Sequence, residues 1–563
     1  MKQLVFVTIL FLLFFTRSFW FHAGVPYTHD GENHLARFAN YKIALREGQF
    51  PPRFAPNLLN HYGYPVFNYN YPLANILSVP FSLLKFHYEV TYKLLILLSL
   101  AFGSFGVLRW LSQYSIKKLP ILAAIIAYLS GPPLISTLLF RGSIGEIMAY
   151  ALWPWLLLSS TAASKKLSQR STVLHICIWT AFLLAHNISV FIAVFVFAII
   201  GVWQMLIVFE RKRYVLQMFT IVICAIGLSL WFWLPAIGEM KQVVVSQAAN
   251  QREYLLHFPT IKQLLYSPLF FGYSYSGPVD TLSYWLGWIT PICIFALTII
   301  ALNQFWCKQF SFRKYLRAHK SQVVPISVFL LLFCIVIQMP FSSWIWKTVP
   351  NFRLIQFPWR FGLLTTIFSL PLLVWLLQSR SKLITGLIWL TIFLQLLGVS
   401  QAKPIDYIAK QKFEYDLHGG TTSTQNENVP FGFTYLLIAD WQPSPSILSG
   451  EAYISTVENW NGSNRLYRLD VMTPSVIVEP TMNYLGWETK VRALYSDDNS
   501  FKLITYQNSD EIQGRIAYSL EPGLYQVSTR FTQNTWARHI GNVSFIITLG
   551  ALIVSYLWHK FRL

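Results

Sequence analysis

The hydrophobic positions of this chain fall in long runs, separated by polar segments. The runs are roughly 17 to 25 residues long, the length of α-helix that crosses a hydrocarbon core of about 30 Å. The pattern therefore predicts an integral membrane protein with about twelve membrane helices, the first of them uncleaved. We place these helices at residues 3–22, 91–113, 119–138, 147–162, 173–186, 189–209, 217–237, 284–306, 322–339, 361–378, 383–400 and 542–559.

From about residue 401 the pattern changes to the alternation of apolar and polar positions that is typical of β-strands. The predicted strands lie at 451–457, 475–479, 501–506, 515–519 and 524–530. We expect an all-α membrane bundle over residues 1–400, a C-terminal antiparallel β-sandwich domain over 401–541, and a final membrane helix with a tail over 542–563.

The long segment 23–90 between the first two membrane helices contains one further helical pattern. Apolar residues recur at helical spacing from Glu32 to Glu47, and Gly48 follows as a stop signal. This pattern predicts an amphipathic helix that lies along the membrane surface.

Composition agrees with a membrane protein, since 54% of the 563 residues are hydrophobic and only 12% are charged. The net charge of +20 would suit a nucleic-acid partner. However, the Lys and Arg residues cluster in alternate short segments, which is the positive-inside pattern of membrane proteins. The charge therefore predicts topology, with both termini cytoplasmic, and no nucleic acid is expected. The segments predicted to face outward are 23–90, 139–146, 238–283, 340–360 and 401–541.

Acidic residues are rare before the β domain, with nine Asp or Glu ahead of residue 401. Two of them, Asp30 and Glu32, lie with His29 and His34 just after the first hydrophobic run. A carboxylate there could act as general base toward an acceptor hydroxyl. Asp30 is the first candidate, and Glu32 could share that task, orient the acceptor or bind a divalent metal. Alternatively, both acids simply begin the following helix, where its dipole favours them.

Three further groups lie in outward segments. Arg141 could bind a phosphate bidentately while Glu146 positions it, or the two could form a structural pair. Arg353 and Arg360 lie at the outer end of the predicted helix 361–378 and could equally be interfacial anchors. His186 is more often a structural group than a catalyst in such a position.

The order of several short motifs resembles the GT-C glycosyltransferase superfamily, and most closely the bacterial polytopic proteins labelled pyruvoyl-tetrahydropterin synthase-related. These motifs are His29-Asp30-Gly31 with His34, Gly48-Gln-Phe-Pro-Pro-Arg53, Gly63-Tyr-Pro-Val-Phe67, Tyr71-Pro72, the run from Arg141 to Glu146, Gln356-Phe-Pro-Trp-Arg360, Asn483-Tyr-Leu-Gly-Trp487, Glu521-Pro-Gly523 and Thr535-Trp-Ala-Arg538. Each motif is short, and their order across nearly the whole chain carries the resemblance.

The resemblance implies an inverting glycosyltransferase that takes a sugar from a polyprenyl-phosphate donor. The acceptor would be an envelope glycan, lipid or protein at the outer face of a bacterial inner membrane. Asp30 would be the base, and Arg141, Arg353 or Arg360 would meet the donor phosphate. The remaining substrate-binding candidates are His29, His34, Arg53, Glu146 and His186. No cofactor is certain, and Mg²⁺ or Mn²⁺ at Asp30 and Glu32 stays open. The label implies nothing about pterins.

Two other function classes remain open. Twelve helices with both ends inside also suit a transporter or lipid flippase, although acids are scarce at the predicted helix centres. A non-catalytic assembly protein of the envelope, in which the β domain binds glycan, is the third hypothesis.

Overall fold

The structure is a computed structural model of the 563-residue chain. It describes residues 16–115, 117–244, 253–275, 282–306, 323–349, 351–378, 381–423, 426–434, 441–495 and 500–562, together with residues 6, 10 and 13.

Every hydrophobic run predicted after residue 90 contains a helix, whereas most of the first predicted run, 3–22, lies outside the described residues. We number the described helices of ten or more residues in chain order. They are α1 Gly31–Arg46, α2 Leu73–Leu83, α3 Tyr88–Leu111, α4 Lys118–Leu129, α5 Ile144–Ala162, α6 Gln169–Ala185, α7 Asn187–Ile207, α8 Arg211–Gly238, α9 Ile289–Trp306, α10 Val323–Val336, α11 Gly362–Leu377, α12 Lys382–Ser400 and α13 Trp536–Arg562.

The expected number of twelve membrane spans is not confirmed. Among the described residues, seven helices are long and apolar enough to cross a membrane, or eight if α10 and the bent Pro340–Thr348 segment form one span. Helix α5 falls outside this set although it is almost wholly buried. Its sequence includes Glu146, Tyr150, two Trp and Pro154, which lower its hydropathy.

The chain folds as two compact units, each drawn from several segments. The first comprises Met1–Gly31, Tyr92–Ile226 and Gln251–Ala409, and the second comprises Glu32–Thr91, Gly227–Asn250 and Lys410–Leu563. The domain boundaries expected near residues 401 and 542 stay predictions.

Helix α11 lies at the centre of the first unit. It is buried along almost its whole length and packs against α4, α5, α9, α10 and α12. A two-stranded antiparallel pair, β1 Val25–Pro26 and β2 Tyr407–Ile408, holds the segment before Asp30 in this unit. The strand pair therefore fixes the backbone shortly before His29 and Asp30 within the first unit.

Helix α1 opens the second unit and corrects one expectation. Leu35 and Phe38 are buried, as an apolar face requires, but so are the polar Arg37 and Asn40 on other sides of the helix. The helix is thus enclosed by protein and is not a half-exposed surface helix. Its end follows the prediction, because Gly48 has a left-handed φ of 91°.

The second unit also contains two antiparallel sheets. Each of the five predicted strand segments contains a strand, and three further strands complete the sheets. Their strands are β3 Ser446–Ser449, β4 Ala452–Trp460, β5 Asn464–Val471, β6 Ser475–Met482, β7 Trp487–Ala493, β8 Lys502–Leu503, β9 Arg515–Leu520 and β10 Gly523–Phe531. The strand order is β4-β5-β10-β7-β8 in one sheet and β3-β6-β9 in the other. Side chains from both sheets, including Tyr467, Val527 and Tyr518, form one hydrophobic core.

Candidate functional site

Asp30 lies beside the turn that carries Arg141, in the first unit. The backbone N–H of His29 donates to the carbonyl of Phe140 over 3.1 Å, and that of Asp30 donates to the carbonyl of Arg141 over 2.9 Å. Two successive hydrogen bonds therefore hold the backbone of the His29-Asp30 pair against the backbone of the Arg141 turn.

The Arg141 turn itself is an irregular end of a helix. One turn of π-helix, Thr137–Arg141, ends at Gly142, which has a left-handed φ of 67°. A Cβ atom at Gly142 would collide with the hydroxyl of Thr28 and lie 2.8 Å from the backbone nitrogen of Gly31. Glycine thus permits both the sharp turn and the close approach of the Asp30 segment.

Glu146, in the first turn of α5, is the centre of a buried ionic cluster. Both terminal nitrogens of Arg141 hydrogen-bond its two carboxylate oxygens, with Nη2 and Oε1 2.8 Å apart. Nε of Arg360 lies 3.3 Å from Oε1, and Nε2 of His186 lies 3.8 Å from the same oxygen. The structural Arg141-Glu146 pair weighed from the sequence is present, and it has two further members.

The cluster has a net positive charge. His186 also caps α7, because its Nδ1 accepts the backbone N–H of Ser189 over 3.3 Å. A ring nitrogen that accepts a hydrogen bond carries no proton, so His186 is neutral here with its hydrogen on Nε2. Two guanidinium groups and one carboxylate then leave a charge of about +1 in a buried setting, where charges are poorly screened.

An aromatic ring lies against the planar guanidinium group of Arg141. Its guanidinium lies 4.5 Å from the centre of the Trp359 ring. The indole nitrogen of Trp359 donates to Oγ of Ser274 over 3.1 Å, and that hydroxyl also contacts His257 and Tyr284. Arg141, Trp359, Arg360 and Tyr284, with Ser136 and Thr137, line one recess.

His29 is held by an aromatic loop. Its ring stacks on Tyr273 with centroids 4.7 Å apart, and its Nε2 lies 3.0 Å from the carbonyl oxygen of Gly272. Burial, and then the nearby charge of Arg141, lower the pKa of His29 to about 4. The ring is therefore neutral at pH 7, with the hydrogen on Nε2 and Nδ1 available as an acceptor.

Glu32 belongs to the second unit and has its own partners there. Its Oε1 lies 2.5 Å from Nζ of Lys410 and 3.8 Å from Nδ1 of His418. Lys410 also donates its backbone N–H to Glu89 over 2.9 Å. The carboxylate of Glu32 is thus engaged in an ion pair that joins α1 to the segment after residue 409.

Two other candidates of the first loop are enclosed in the second unit. His34 is buried, with Nε2 3.4 Å from the hydroxyl of Tyr71. Arg53 is fully buried, donates to the carbonyl of Trp231, and lies over the ring of that residue. Burial, followed by the charge of Arg538, lowers the pKa of Arg53 to about 9. Both contacts are structural, and a substrate role for either residue stays a prediction.

Arg353 is exposed in the short turn Phe352–Ile355, and the ion pairs described for Glu146 do not include it. Trp359, Ser274 and Tyr273 are the site residues that sequence reasoning missed. Trp359 lies within the motif quoted above. The other two carried no signal beyond an aromatic-rich outward segment.

A metal site is not formed by the described residues. No three His, Cys, Asp or Glu side chains among them lie together in an arrangement that could hold an ion. Glu32 forms an ion pair with the Lys410 ammonium, and a divalent metal at Asp30 and Glu32, which the sequence left open, stays a prediction.

A family model described as "6-pyruvoyl-tetrahydropterin synthase related domain; membrane protein" matches residues 67–403, more than half of the chain. The chain belongs to this family. The family resemblance inferred from the motifs is thereby confirmed, as is the expectation of a membrane protein. No curated protein sequence matches the chain.

Two solved membrane glycosyltransferases are similar at low identity. The arabinofuranosyltransferase AftD from Mycobacteria is 14% identical, with a TM-score of 0.43 over 71% of this chain and 26% of that chain. The oligosaccharyltransferase AglB from Archaeoglobus fulgidus, solved with an inhibitory peptide and a dolichol-phosphate, is 12% identical, with a TM-score of 0.44 over 77% of this chain and 61% of that chain. The chain thus spans less than two thirds of either protein.

Proposed function

We propose that this protein is a membrane glycosyltransferase of the GT-C type, which uses a polyprenyl-phosphate sugar at the outer face of a bacterial inner membrane. The observation that carries the proposal is the position of Asp30, whose backbone is hydrogen-bonded to that of Arg141. One carboxylate and a recess of net positive charge thus belong to the same small region of the first unit. The motif resemblance supports the same assignment.

The two guanidinium groups of the recess suit an anionic phosphate. Arg141 and Arg360 both line the recess, and both guanidinium groups face the carboxylate of Glu146. Planar guanidinium groups match the oxygens of a phosphate, and the stacked Trp359 keeps Arg141 from rotating freely. The phosphate of the donor would lie beside these guanidinium groups, where negative charge grows as the bond between the anomeric carbon and the phosphate oxygen breaks.

Asp30 would act as the general base. It would take the proton of an acceptor hydroxyl while that oxygen bonds to the anomeric carbon and the bond from that carbon to the phosphate oxygen breaks. The lipid phosphate leaves with the electron pair, and attack opposite the leaving group inverts the configuration. A positioned base contributes roughly 10²–10⁴-fold to such a reaction. The Lys410 ion pair makes Glu32 the weaker candidate, because that carboxylate already accepts a hydrogen bond from the ammonium group.

Substitution of the base tests the proposal directly. Asp30→Asn in the full chain should reduce sugar transfer from a radiolabelled polyprenyl-phosphate sugar by at least about 100-fold. Membranes isolated from cells that express each variant supply both the enzyme and the native acceptors. Asp510→Asn, a matched change of an exposed residue in the second unit, should leave transfer unchanged.

Unfolding midpoints of the purified variants separate a catalytic loss from misfolding, and Asp30→Asn should unfold at the same temperature as the unmodified chain. Full transfer by a well-folded Asp30→Asn variant would remove Asp30 from the role. Transfer absent from the unmodified chain, with flux of the lipid across vesicles that contain it, would favour the flippase hypothesis.

A further inference from the structure

A second cavity, of about 350 Å³, lies in the first unit among the ends of α3, α5, α7 and α10. It shares no lining residue with the recess at Arg141. Most of its wall is apolar or aromatic, with Trp110, Leu157, Ile200, Trp203, Leu330 and Phe368 among the lining residues. Its volume is at the lower end of the range for small-molecule pockets, roughly 300–1,000 Å³. The volume and the apolar wall suit one hydrocarbon chain.

The wall includes two polar side chains, Gln204 and Trp203. Gln204 is buried, and no hydrogen bond of its side-chain amide is found within the described part of the chain. The indole nitrogen of Trp203 is also buried without an acceptor there. A buried donor without a partner costs about 1–3 kcal/mol. A ligand that brings oxygen acceptors beside its hydrocarbon chain would remove this cost.

The rim of the cavity is charged and hydroxylic. Lys165 lines it, together with Ser164 and Thr161. Glu210 also lines it, but that carboxylate lies 3.7 Å from Nη2 of Arg213 and is therefore already paired. These residues flank the basic segments 165–170 and 211–213, which the sequence predicts to be cytoplasmic. The cavity thus lies at the end of the helices opposite to the outward segments.

We propose that this cavity binds an anionic glycerophospholipid of the membrane. One acyl chain would fill the apolar part, ester oxygens would accept hydrogen bonds from Trp203 and Gln204, and the phosphate would lie near Lys165. A juxtamembrane Lys attracts an anionic lipid by about 1 kcal/mol, and basic pockets between membrane helices are a known form of such sites. The proposal does not depend on the glycosyltransferase assignment.

Lipid binding to the purified full chain tests the proposal. Titration in detergent, followed by native mass spectrometry, would compare phosphatidylglycerol with phosphatidylethanolamine of identical acyl chains. We expect tighter binding of phosphatidylglycerol, and Lys165→Gln should weaken it about fivefold. The matched control is Lys166→Gln, an adjacent exposed residue outside the cavity lining, which should change the affinity by less than half as much.

Gln204→Leu tests the interior of the site. The variant should weaken binding of both lipids about fivefold through loss of one hydrogen bond. It should nevertheless unfold at the same or a higher temperature, because the Gln204 amide makes no hydrogen bond within the described part of the chain. Equal affinity for the two lipids, or equal effects of the two lysine substitutions, would overturn the proposal. If inorganic phosphate displaced the lipid with an affinity equal to that of the lipid, the cavity would be a site for free phosphate. That result would also overturn the proposal.

Discussion

Glu146→Gln is the substitution that tests the architecture of the candidate site most directly. The amide has nearly the same volume as the carboxylate, so the change removes charge and leaves packing intact. In the unmodified protein this carboxylate faces two guanidinium groups, Arg141 and Arg360, while His186 is neutral. The variant therefore removes the carboxylate that both guanidinium groups face, and it raises the summed charge of these three side chains from about +1 to about +2.

The expected loss of stability is substantial. A pair of unit charges about 4 Å apart interacts by about 4 kcal/mol at an effective dielectric constant of 20. Measured costs of breaking a buried ion pair from one side are about 3–5 kcal/mol. The glutamine oxygen still accepts a hydrogen bond from Arg141, so we expect a loss near 3 kcal/mol. That loss changes the unfolding equilibrium by more than about 100-fold.

Thermal unfolding of the full chain in detergent, followed by intrinsic fluorescence, measures this effect. The control is Glu458→Gln, which removes a surface ion pair with Arg468 in the second unit and should cost at most about 1 kcal/mol. A further variant, Glu146→Gln with Arg360→Gln, should recover part of the stability because it also removes one of the two positive charges that faced the carboxylate. If Glu146→Gln unfolds no earlier than Glu458→Gln, the buried ionic cluster does not hold the site together.

Two further predictions concern the backbone and the ionisation of the same region. Gly142→Ala should destabilise the protein by about 1–3 kcal/mol, because residue 142 has a left-handed φ and its new Cβ would collide with Thr28. The control is Gly201→Ala in α7, where a Cβ has open space, and this change should be neutral or stabilising. Equal unfolding midpoints of the two variants would contradict the prediction. The lowered pKa of His29, about 4 against an ordinary 6.5, means that the unfolded chain binds a proton first as pH falls. Its contribution to stability should be complete above about pH 6.5 and lost toward pH 4. His29→Gln should therefore flatten the dependence of the unfolding midpoint on pH over this window, and an unchanged slope would refute the assignment.

Local patterns predicted much of the secondary structure. The run 217–237 lies inside α8, and the strand at 515–519 lies inside β9, because hydrophobic period and helix-ending residues act over a few positions. Helix α1 shows the limit of this reasoning. The helix itself was predicted correctly, but the prediction that it lies along the membrane surface was wrong. Burial of Arg37 and Asn40 depends on which segments pack around the helix.

The contacts of the candidate site are likewise of two kinds, those that the sequence predicts and those that depend on packing. The pair of Arg141 and Glu146 could be proposed from a separation of five residues, which one turn and the start of a helix can bridge. Its contacts with His186 and Arg360 could not, because they join helices that meet only through packing. Glu32 is the clearest case: it belongs to a different compact unit from Asp30, and its partner Lys410 is 378 residues away.

The amino-acid sequence by itself determined that this is a membrane protein of mostly helical fold with a β-rich C-terminal region, and it identified Asp30, Arg141 and Arg360 as candidates. These properties depend on composition and on short-range periodicity. Only the tertiary structure decided that Glu146 contacts both Arg141 and Arg360, that Trp359 stacks on Arg141, and that the backbone of Asp30 lies against the Arg141 turn. Such contacts join residues far apart in the chain, and their geometry depends on how whole helices pack, which no local pattern encodes.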